Sequence, residues 1–500
     1  MKQNYIARAL AAAFITVLGA TTNAQNTNDQ SFLELASKGE VAAALQILGS
    51  VTDVNQAQAD GTTALHWAVY YHDVDLVKAL LSRAANTNAR NEFGATPLAQ
   101  AAITGNPDII SALLAAGADA NERGADDQTA LMIIARTNNL DAAKVLINAG
   151  ADVNTVEKWR GQTALMWAAA QMQPDMVQLL LASGAAVDAQ SLPNNWERQV
   201  TGEPRMKILP VGGFTALLYA TREGCTLCTQ YLIAAGADLN KTDPEGVTPL
   251  VMATLNAKWD SAKLLLDAGA NPDKWDIFGR TPLYGAVDYN TLPHGGRADR
   301  LSADLTTSLE IAQLVLAKGG NPNLQLKLFP PYRALGADRG ADGLLRTGVT
   351  PLFRAARGGD AEAMKLLIAN GALVDLPNED DVSPLMVAAG YRASAIDTRG
   401  RFRTELEALE VARLLLEAGA QVNAQESFGQ TAIYGAATNG WNTVVQLLAE
   451  HGADLDHKDS AGNTVVDAAM GKAGRFGRGS GGDEHIETAA LIEKLIAEKK

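Results

Sequence analysis

Residues 92–124 read EFGATPLAQAAITGNPDIISALLAAGADANERG, and this stretch decides the fold. Thr96 is placed to cap a helix, because its hydroxyl accepts from the free N–H groups of a first turn. Pro97 suits the first helical position, where no N–H partner is needed. The helix runs through Leu98, Ala101 and Ala102 and stops near Gly105. A second helix sets Ile109, Ile110, Leu113 and Leu114 on one face at helical spacing. Gly117 ends it as the left-handed residue after a helix, and Ala-Asp-Ala-Asn leads into a polar turn.

Outward from Thr96 the same pattern recurs. The equivalent hydroxyls are Thr63, Thr96, Thr129, Thr163, Thr215, Thr248, Thr281, Thr350, Ser383, Thr431 and Thr464. Their spacings are 33, 33, 34, 52, 33, 33, 69, 33, 48 and 33, that is, one unit, one unit with an insertion, or two units. A Gly usually stands two residues before the hydroxyl, and a second Gly, usually followed by Ala, stands 21 residues after it. A self-similar unit of this length predicts a solenoid in which each unit buries its apolar face against its neighbours. Small residues in the first helix allow close approach, and the aliphatic pairs of the second supply a continuous core.

The pattern resembles the ankyrin repeat. The resemblance rests on Thr-Pro-Leu or Thr-Ala-Leu, on Ala64, Leu65, His66 and Trp67 in the first copy, and on Leu-Leu-x-x-Gly-Ala-Asp with a closing Asn. It covers roughly residues 30–500 and implies a mostly α solenoid of about eleven helix-turn-helix units with short β-hairpin fingers and loop insertions. It also implies first helices on a concave face, second helices on a convex one, and binding of protein rather than chemistry.

The N-terminus reads differently. Lys2 and Arg8 precede an apolar run over 9–18, Gly19 breaks it, and Thr22, Asn23 and Ala24 offer small residues for cleavage before Gln25. That is the layout of a secretory signal peptide over 1–24, and the run is too short to span a membrane. Its Ala-rich core looks bacterial, so the expected location is the periplasm, or the protein is secreted. The formal charge of −14 becomes −16 once Lys2 and Arg8 are removed. An acidic chain is a poor ligand for nucleic acid or anionic lipid. Neither nucleic acid nor membrane insertion is expected, and the chain is expected to be a monomer.

The domain layout follows. After the signal peptide, 25–58 is a linker and capping unit with no Thr-Pro-Leu, and 59–190 holds regular repeats. Residues 191–426 hold repeats interrupted by insertions at 191–212, 291–308, 324–346 and 391–404, and 427–500 holds the last repeats and a cap, broken by a loop at 471–483. These five segments hold sixteen Lys and Arg against eight Asp and Glu, a net +8, which leaves −24 on the rest of the mature chain. Insertions in repeat proteins map to loops that often mark the binding face. Three alternatives stand for the insertions: packing on the acidic scaffold, a partner site, or disorder.

The candidate partner-binding residues are Trp159, Arg160, Trp196, Phe214, Arg222, Glu223, Phe278, Arg280, Asp288, Tyr289, Tyr332, Arg346, Arg357 and Tyr391. They lie at finger tips, at the first-helix face or in insertions. Rigid aromatics beside Arg are the residue types that anchor interfaces. For Phe214 and Phe278, near finger bases, local core is the competing reading. The expected partner is a protein, an acidic or extended segment of it, in the groove of the central repeats.

No chemistry emerges from the rest. Cys225 and Cys228 are spaced Cys-x-x-Cys at a helix start, which admits a redox role, but Cys228 fills an apolar core slot and no thioredoxin-like pattern surrounds it. Inert packing or a structural disulfide is the plainer reading. The six histidines do not cluster, and no zinc spacing, phosphate loop or nucleophile elbow appears. No catalytic residue, cofactor or metal is expected. An enzyme or small-molecule binder using the central groove, and a host-directed effector, are the rival readings.

Overall fold

The computed structural model describes residues 27–194, 212–291, 302–328, 344–393, 403–472 and 484–499. The segment read as a signal peptide, most of each insertion, Trp196 and Tyr332 lie outside the described residues. Contacts divide the chain into two compact units, Met1–Ala125 with Lys144–Gly150, and Asp126–Ala143 with Ala151–Lys500.

Twenty-four α-helices follow one another among the described residues, in twelve successive pairs. The first unit holds the pairs Thr27–Lys38 and Val41–Leu48, Ala64–Tyr70 and Val74–Ser82, and Pro97–Thr104 and Pro107–Ala115. In the second unit the first helices include Ala130–Thr137, Ala164–Ala170, Ala216–Glu223, Pro249–Leu255 and Pro282–Asn290. There, Ala164–Ala170 packs between Ala130–Thr137 and Ala216–Glu223, and the second helix Pro174–Ala182 packs on Thr226–Ala234. The Ala168, Ala169 and Ala220 side chains are fully buried, so the small residues of the first helices do bring backbones together. The spacing of 69 between Thr281 and Thr350 turns out to be one pair, Pro282–Asn290 and Ser308–Ala317, enlarged by two insertions, not two units.

Nine of the eleven periodic hydroxyls accept from the backbone N–H three residues on, as Thr96 does from Ala99 at 3.2 Å and Thr281 from Tyr284 at 3.0 Å. Thr63 instead pairs with the ring of His66, 2.9 Å away. Thr431 makes no capping bond, and its buried oxygen has no partner. The helices that resume after the within-repeat insertions carry their own caps: Thr307 with Glu310, and Thr404 with Glu407, each a reciprocal box.

The expected β-hairpin fingers are reduced. Among the described residues there is no strand, only the isolated antiparallel bridges Ala57 to Thr63, Pro193 to Gly212 and Lys458 to Thr464. A side-chain acceptor takes the place of the ladder. It stands five residues before the capping hydroxyl and accepts from backbone N–H groups two and four residues ahead: Asn91, Asp243, Asp276, Asn378, Glu426 and Asp459 all do so. One backbone bond then ties one finger to the next, as Ile277 N–H to Glu245 O at 2.8 Å.

The closing Asn of the repeat is a staple between neighbours. Asn154 donates to Gly184 O at 3.1 Å and accepts from Ala186 N–H at 2.7 Å. Asn323 does the same with Gly371 and Leu373, and Asn423 with Gly452 and Asp454. Each such amide satisfies a helix-end carbonyl that would otherwise lack a partner.

The bases of the insertions attach at two kinds of place. Leu192 N–H donates to Arg160 O and Lys327 N–H to Phe278 O, so 191–212 and 324–346 leave beside fingers. Ser302 bonds Ala257 O, Thr291 bonds Asp360, and Arg403 bonds Ala356 O, so 291–308 and 391–404 leave beside turns between helices. A first helix starts at its finger and ends at its turn, which puts these bases at opposite ends of the first helices.

Candidate functional site

The finger before Thr163 is built on Glu157, which is buried and accepts three backbone N–H bonds: from Trp159 at 2.6 Å, Arg160 at 2.8 Å and Gln162 at 3.0 Å. Both of its oxygens are used by the backbone. The loop therefore holds Trp159 at its tip with 77 % of its surface exposed, and leaves Arg160 exposed beside it.

Next to this finger lies a cleft of about 300 Å³ on the first-helix side of the second unit. Its aromatic floor is Trp167, Phe214 and Tyr219, each largely buried. Gln162 fixes two of the rings, accepting from the Trp167 indole N–H at 3.0 Å and donating to the Tyr219 hydroxyl at 2.6 Å. Phe214 meets Tyr219 edge to face at 5.3 Å. Three arginines line the cleft. Arg136, at the end of Ala130–Thr137, stacks 4.9 Å from the Trp167 ring centre. Arg222, at the end of Ala216–Glu223, lies 5.2 Å from Tyr219 and 5.6 Å from Phe214 and pairs with Glu223 at 2.8 Å. Arg160 is the third.

The candidate residues thus separate. Trp159, Arg160, Arg222 and Glu223 gather around one place. Phe214 is buried as part of its floor, so the local-core reading holds for it. Phe278 is buried too, and Arg280 lies over its ring at 5.0 Å while its Nε and NH2 groups reach Asp276 at 2.7 and 2.6 Å. Both are finger structure rather than free anchors, because Asp276 keeps one oxygen for a side chain. Tyr391 is only 4 % exposed, and Arg357 donates to the carbonyls of Tyr391 and Arg392 at 3.0 and 2.9 Å, so these two fasten the base of an insertion. Arg346 bridges to Glu379 and Asp380 of the next finger at 3.2 and 3.4 Å. Asp288 pairs with the buried Arg354, and Tyr289 is half-buried against Trp259, 5.0 Å between ring centres.

Sequence reading missed Arg136, Gln162, Trp167 and Tyr219. The signal for them was the chain's own period: Arg136 and Trp167 sit on successive first helices, and a polar residue stands immediately before Thr163. It also missed Arg403, which donates to Ala356, Val387 and Ala388 carbonyls and stacks over Trp441 at 5.1 Å.

Other groups singled out in the sequence have structural surroundings among the described residues. Cys225 and Cys228 are joined in a disulfide, and both are buried at the start of Thr226–Ala234. His66 accepts from Thr63 N–H through Nδ1 and donates from Nε2 to Ala95 O at 3.1 Å, and burial lowers its pKa, which favours the neutral ring. Burial pushes the Asp243 carboxyl up to about 6. Among the described residues no group of three or more His, Cys, Asp or Glu could hold a metal ion, and no helix is long and apolar enough to cross a membrane.

Comparison with known proteins agrees with the repeat. The family model described as ankyrin repeats in three copies matches residues 32–124, 98–191, 217–294 and 404–476, and the single ankyrin repeat matches 347–379. The human Transient receptor potential cation channel subfamily A member 1 is 27 % identical over 241 residues, 48 % of this chain and 18 % of that protein. Human Ankyrin repeat domain-containing protein 63 is 33 % identical over 123 residues, 24 % of this chain and 30 % of that protein. Human Ankyrin repeat and SOCS box protein 16 is 30 % identical over 254 residues, 51 % and 47 % of the two. The matched stretch spans less than half the length of each of these relatives. A crystal structure of the human ASB11 ankyrin repeat domain aligns with 50 % of this chain and all of that one, at 23 % identity and a TM-score of 0.40. With family models matched over more than half of its residues, this chain belongs to the ankyrin-repeat family.

Proposed function

We propose that the chain is an exported, non-catalytic scaffold that binds a protein partner along the first-helix and finger side of its central repeats. Ankyrin repeats suggest a protein–protein interaction scaffold. The observation that carries the placement is Trp159: a large aromatic held by a fully bonded turn, 77 % exposed, beside a cleft lined by arginine and aromatic residues. A rigid, exposed Trp next to Arg is the composition of an interface hot spot. Export to a bacterial periplasm is supported by Lys2 and Arg8 before the apolar run and by the small residues at 22–24. The Cys225–Cys228 disulfide suits an oxidising compartment.

The test is affinity capture from a periplasmic extract with the purified full chain. Wild type should retain a specific protein, Trp159→Ala should lose most of it, and Tyr70→Ala, on an exposed aromatic of an early repeat, should not. Equal capture by wild type and Trp159→Ala, with loss in Tyr70→Ala, places the surface elsewhere. Mass spectrometry of the expressed protein should find Gln25 as its first residue; an intact Met1 in the mature fraction refutes export by cleavage.

A further inference from the structure

We propose that the cleft beside Trp159 is a carboxylate seat, which takes an acidic side chain from an extended segment of the partner. The proposal rests on the scaffold reading and specifies what that surface recognises. Three guanidinium groups line one cleft of about 300 Å³ on a chain whose formal charge is −14. The guanidinium groups of Arg136 and Arg160 make no hydrogen bond or ion pair with described residues, and that of Arg222 has only Glu223. One carboxylate against three guanidiniums leaves a local positive excess where the molecule as a whole repels anions.

The geometry is suited to a planar acceptor. Arg136 and Arg222 lie with their guanidiniums over aromatic rings. Stacking occupies the face of a guanidinium and leaves its N–H groups for acceptors in its plane, which a carboxylate meets with two parallel bonds. The Tyr219 hydroxyl accepts from Gln162, which leaves its own proton for a ligand oxygen. The rings are themselves fixed through Gln162, so little ordering is needed on binding. The volume is at the small end for ligand sites and holds one side chain with its neighbours. Trp159 adjoins Arg160 in the chain and stands outside the cleft, so the recognised surface continues past it, which favours an extended polypeptide over a free small acid.

The experiment is isothermal titration calorimetry on the full chain with four probes: hexaglutamate, hexaglutamine, glutarate and inorganic phosphate. Hexaglutamate should bind wild type, and hexaglutamine should not. Arg136→Gln with Arg160→Gln should weaken hexaglutamate at least about tenfold, Arg222→Lys should weaken it severalfold because the charge stays and the fork goes, and Arg413→Gln, on an exposed helix face elsewhere, should leave it unchanged. Unaltered melting curves confirm that the variants fold. Equal binding of hexaglutamate by the double variant overturns the proposal. Glutarate as tight as hexaglutamate overturns the polypeptide source, and phosphate as tight overturns the preference for a carboxylate. Partner capture that survives the double variant also overturns it and leaves the scaffold reading intact; hexaglutamate binding without any captured partner overturns the scaffold reading instead.

Discussion

The finger built on Glu157 and the finger built on Asp276 use the same device to opposite ends. In both, a buried carboxylate gathers the backbone N–H groups of a tight turn. The first turn is one residue longer, since Glu157 stands six residues before Thr163 and Asp276 five before Thr281. Glu157 gives both oxygens to the backbone, and its aromatic and its arginine face outward. Asp276 gives one oxygen to the backbone and the other to Arg280, and the arginine closes over a buried Phe278. In this pair the difference lies in the acceptor's second oxygen, which goes to the backbone in the Glu157 finger and to an arginine in the Asp276 finger.

The largest expected effect breaks the comparison at its aromatics. Phe278→Ala should cost roughly 3–5 kcal/mol of stability, because a buried ring leaves a cavity. Trp159→Ala should stay within about 0.5 kcal/mol, as surface changes usually do. Urea melts of the two variants decide it; a costly Trp159→Ala means that the residue is packed rather than presented.

The arginines give a smaller contrast. Arg280→Ala strands the Asp276 carboxylate, which is about 1 % exposed, and should cost roughly 1–3 kcal/mol. Arg160→Ala removes no bond among described residues and should be neutral to stability while weakening partner capture. Similar melting midpoints for both variants refute the division of roles.

A third finger shows what happens without a cation. Asp243 accepts from Glu245 and Val247 N–H at 2.9 and 2.8 Å, lies near Glu245 and Asp276, and has no cation partner among described residues. Burial raises its carboxyl to about 6. A folded pKa above the unfolded value means that the stability this group contributes is full below about 3.9 and lost as pH rises through about 6. Asn91 and Asn378 fill the same slot with the same acceptor pattern, so an amide fits. Each tenfold change in proton affinity between the folded and unfolded chain is worth about 1.4 kcal/mol. Asp243→Asn should therefore gain of order 1–3 kcal/mol over wild type at pH 8, and little at pH 4. Equal stability gains at pH 4 and pH 8 rule out titration of Asp243 as the cause.

These comparisons mark how far the sequence could be read. The hydroxyl period located eleven of the twelve first helices, all but Thr27–Lys38, because an N-cap residue is a local signal. The terminal Gly and closing Asn were visible for the same reason. Direction was not visible. Trp159, Phe278 and Tyr391 are all aromatics next to arginine in the chain or near it, yet one is exposed and two are buried. What separates them is the hydrogen bonding of the loop around each, a non-local property that residue type does not encode. The Gln162 link between Trp167 and Tyr219 was hidden likewise, because its partners lie five and 57 residues away. The finger acceptor, by contrast, was legible: it stands five residues before the hydroxyl in six fingers, overshadowed by the more uniform Gly two residues before the hydroxyl.

The smallest expected effect asks whether the difference between the fingers reaches the helices they precede. Thr163 and Thr281 accept from Met166 and Tyr284 N–H at 3.3 and 3.0 Å, with the same extended backbone at the cap. Replacing either by Ala should cost about 1 kcal/mol, as loss of a cap usually does. Thr431 sits at the same place in its repeat with no capping bond and a buried, unpartnered oxygen, so Thr431→Ala should cost less than about 0.5 kcal/mol and relieves an unmet acceptor. If Thr163→Ala and Thr281→Ala match while Thr431→Ala is silent, the helices are indifferent to how their fingers are closed. The scaffold is then a constant, and exposure at the finger tip varies independently of it. A clear difference between Thr163→Ala and Thr281→Ala would mean that the closed Asp276 finger supports its helix in a way the open Glu157 finger does not, and that presenting Trp159 carries a cost in stability.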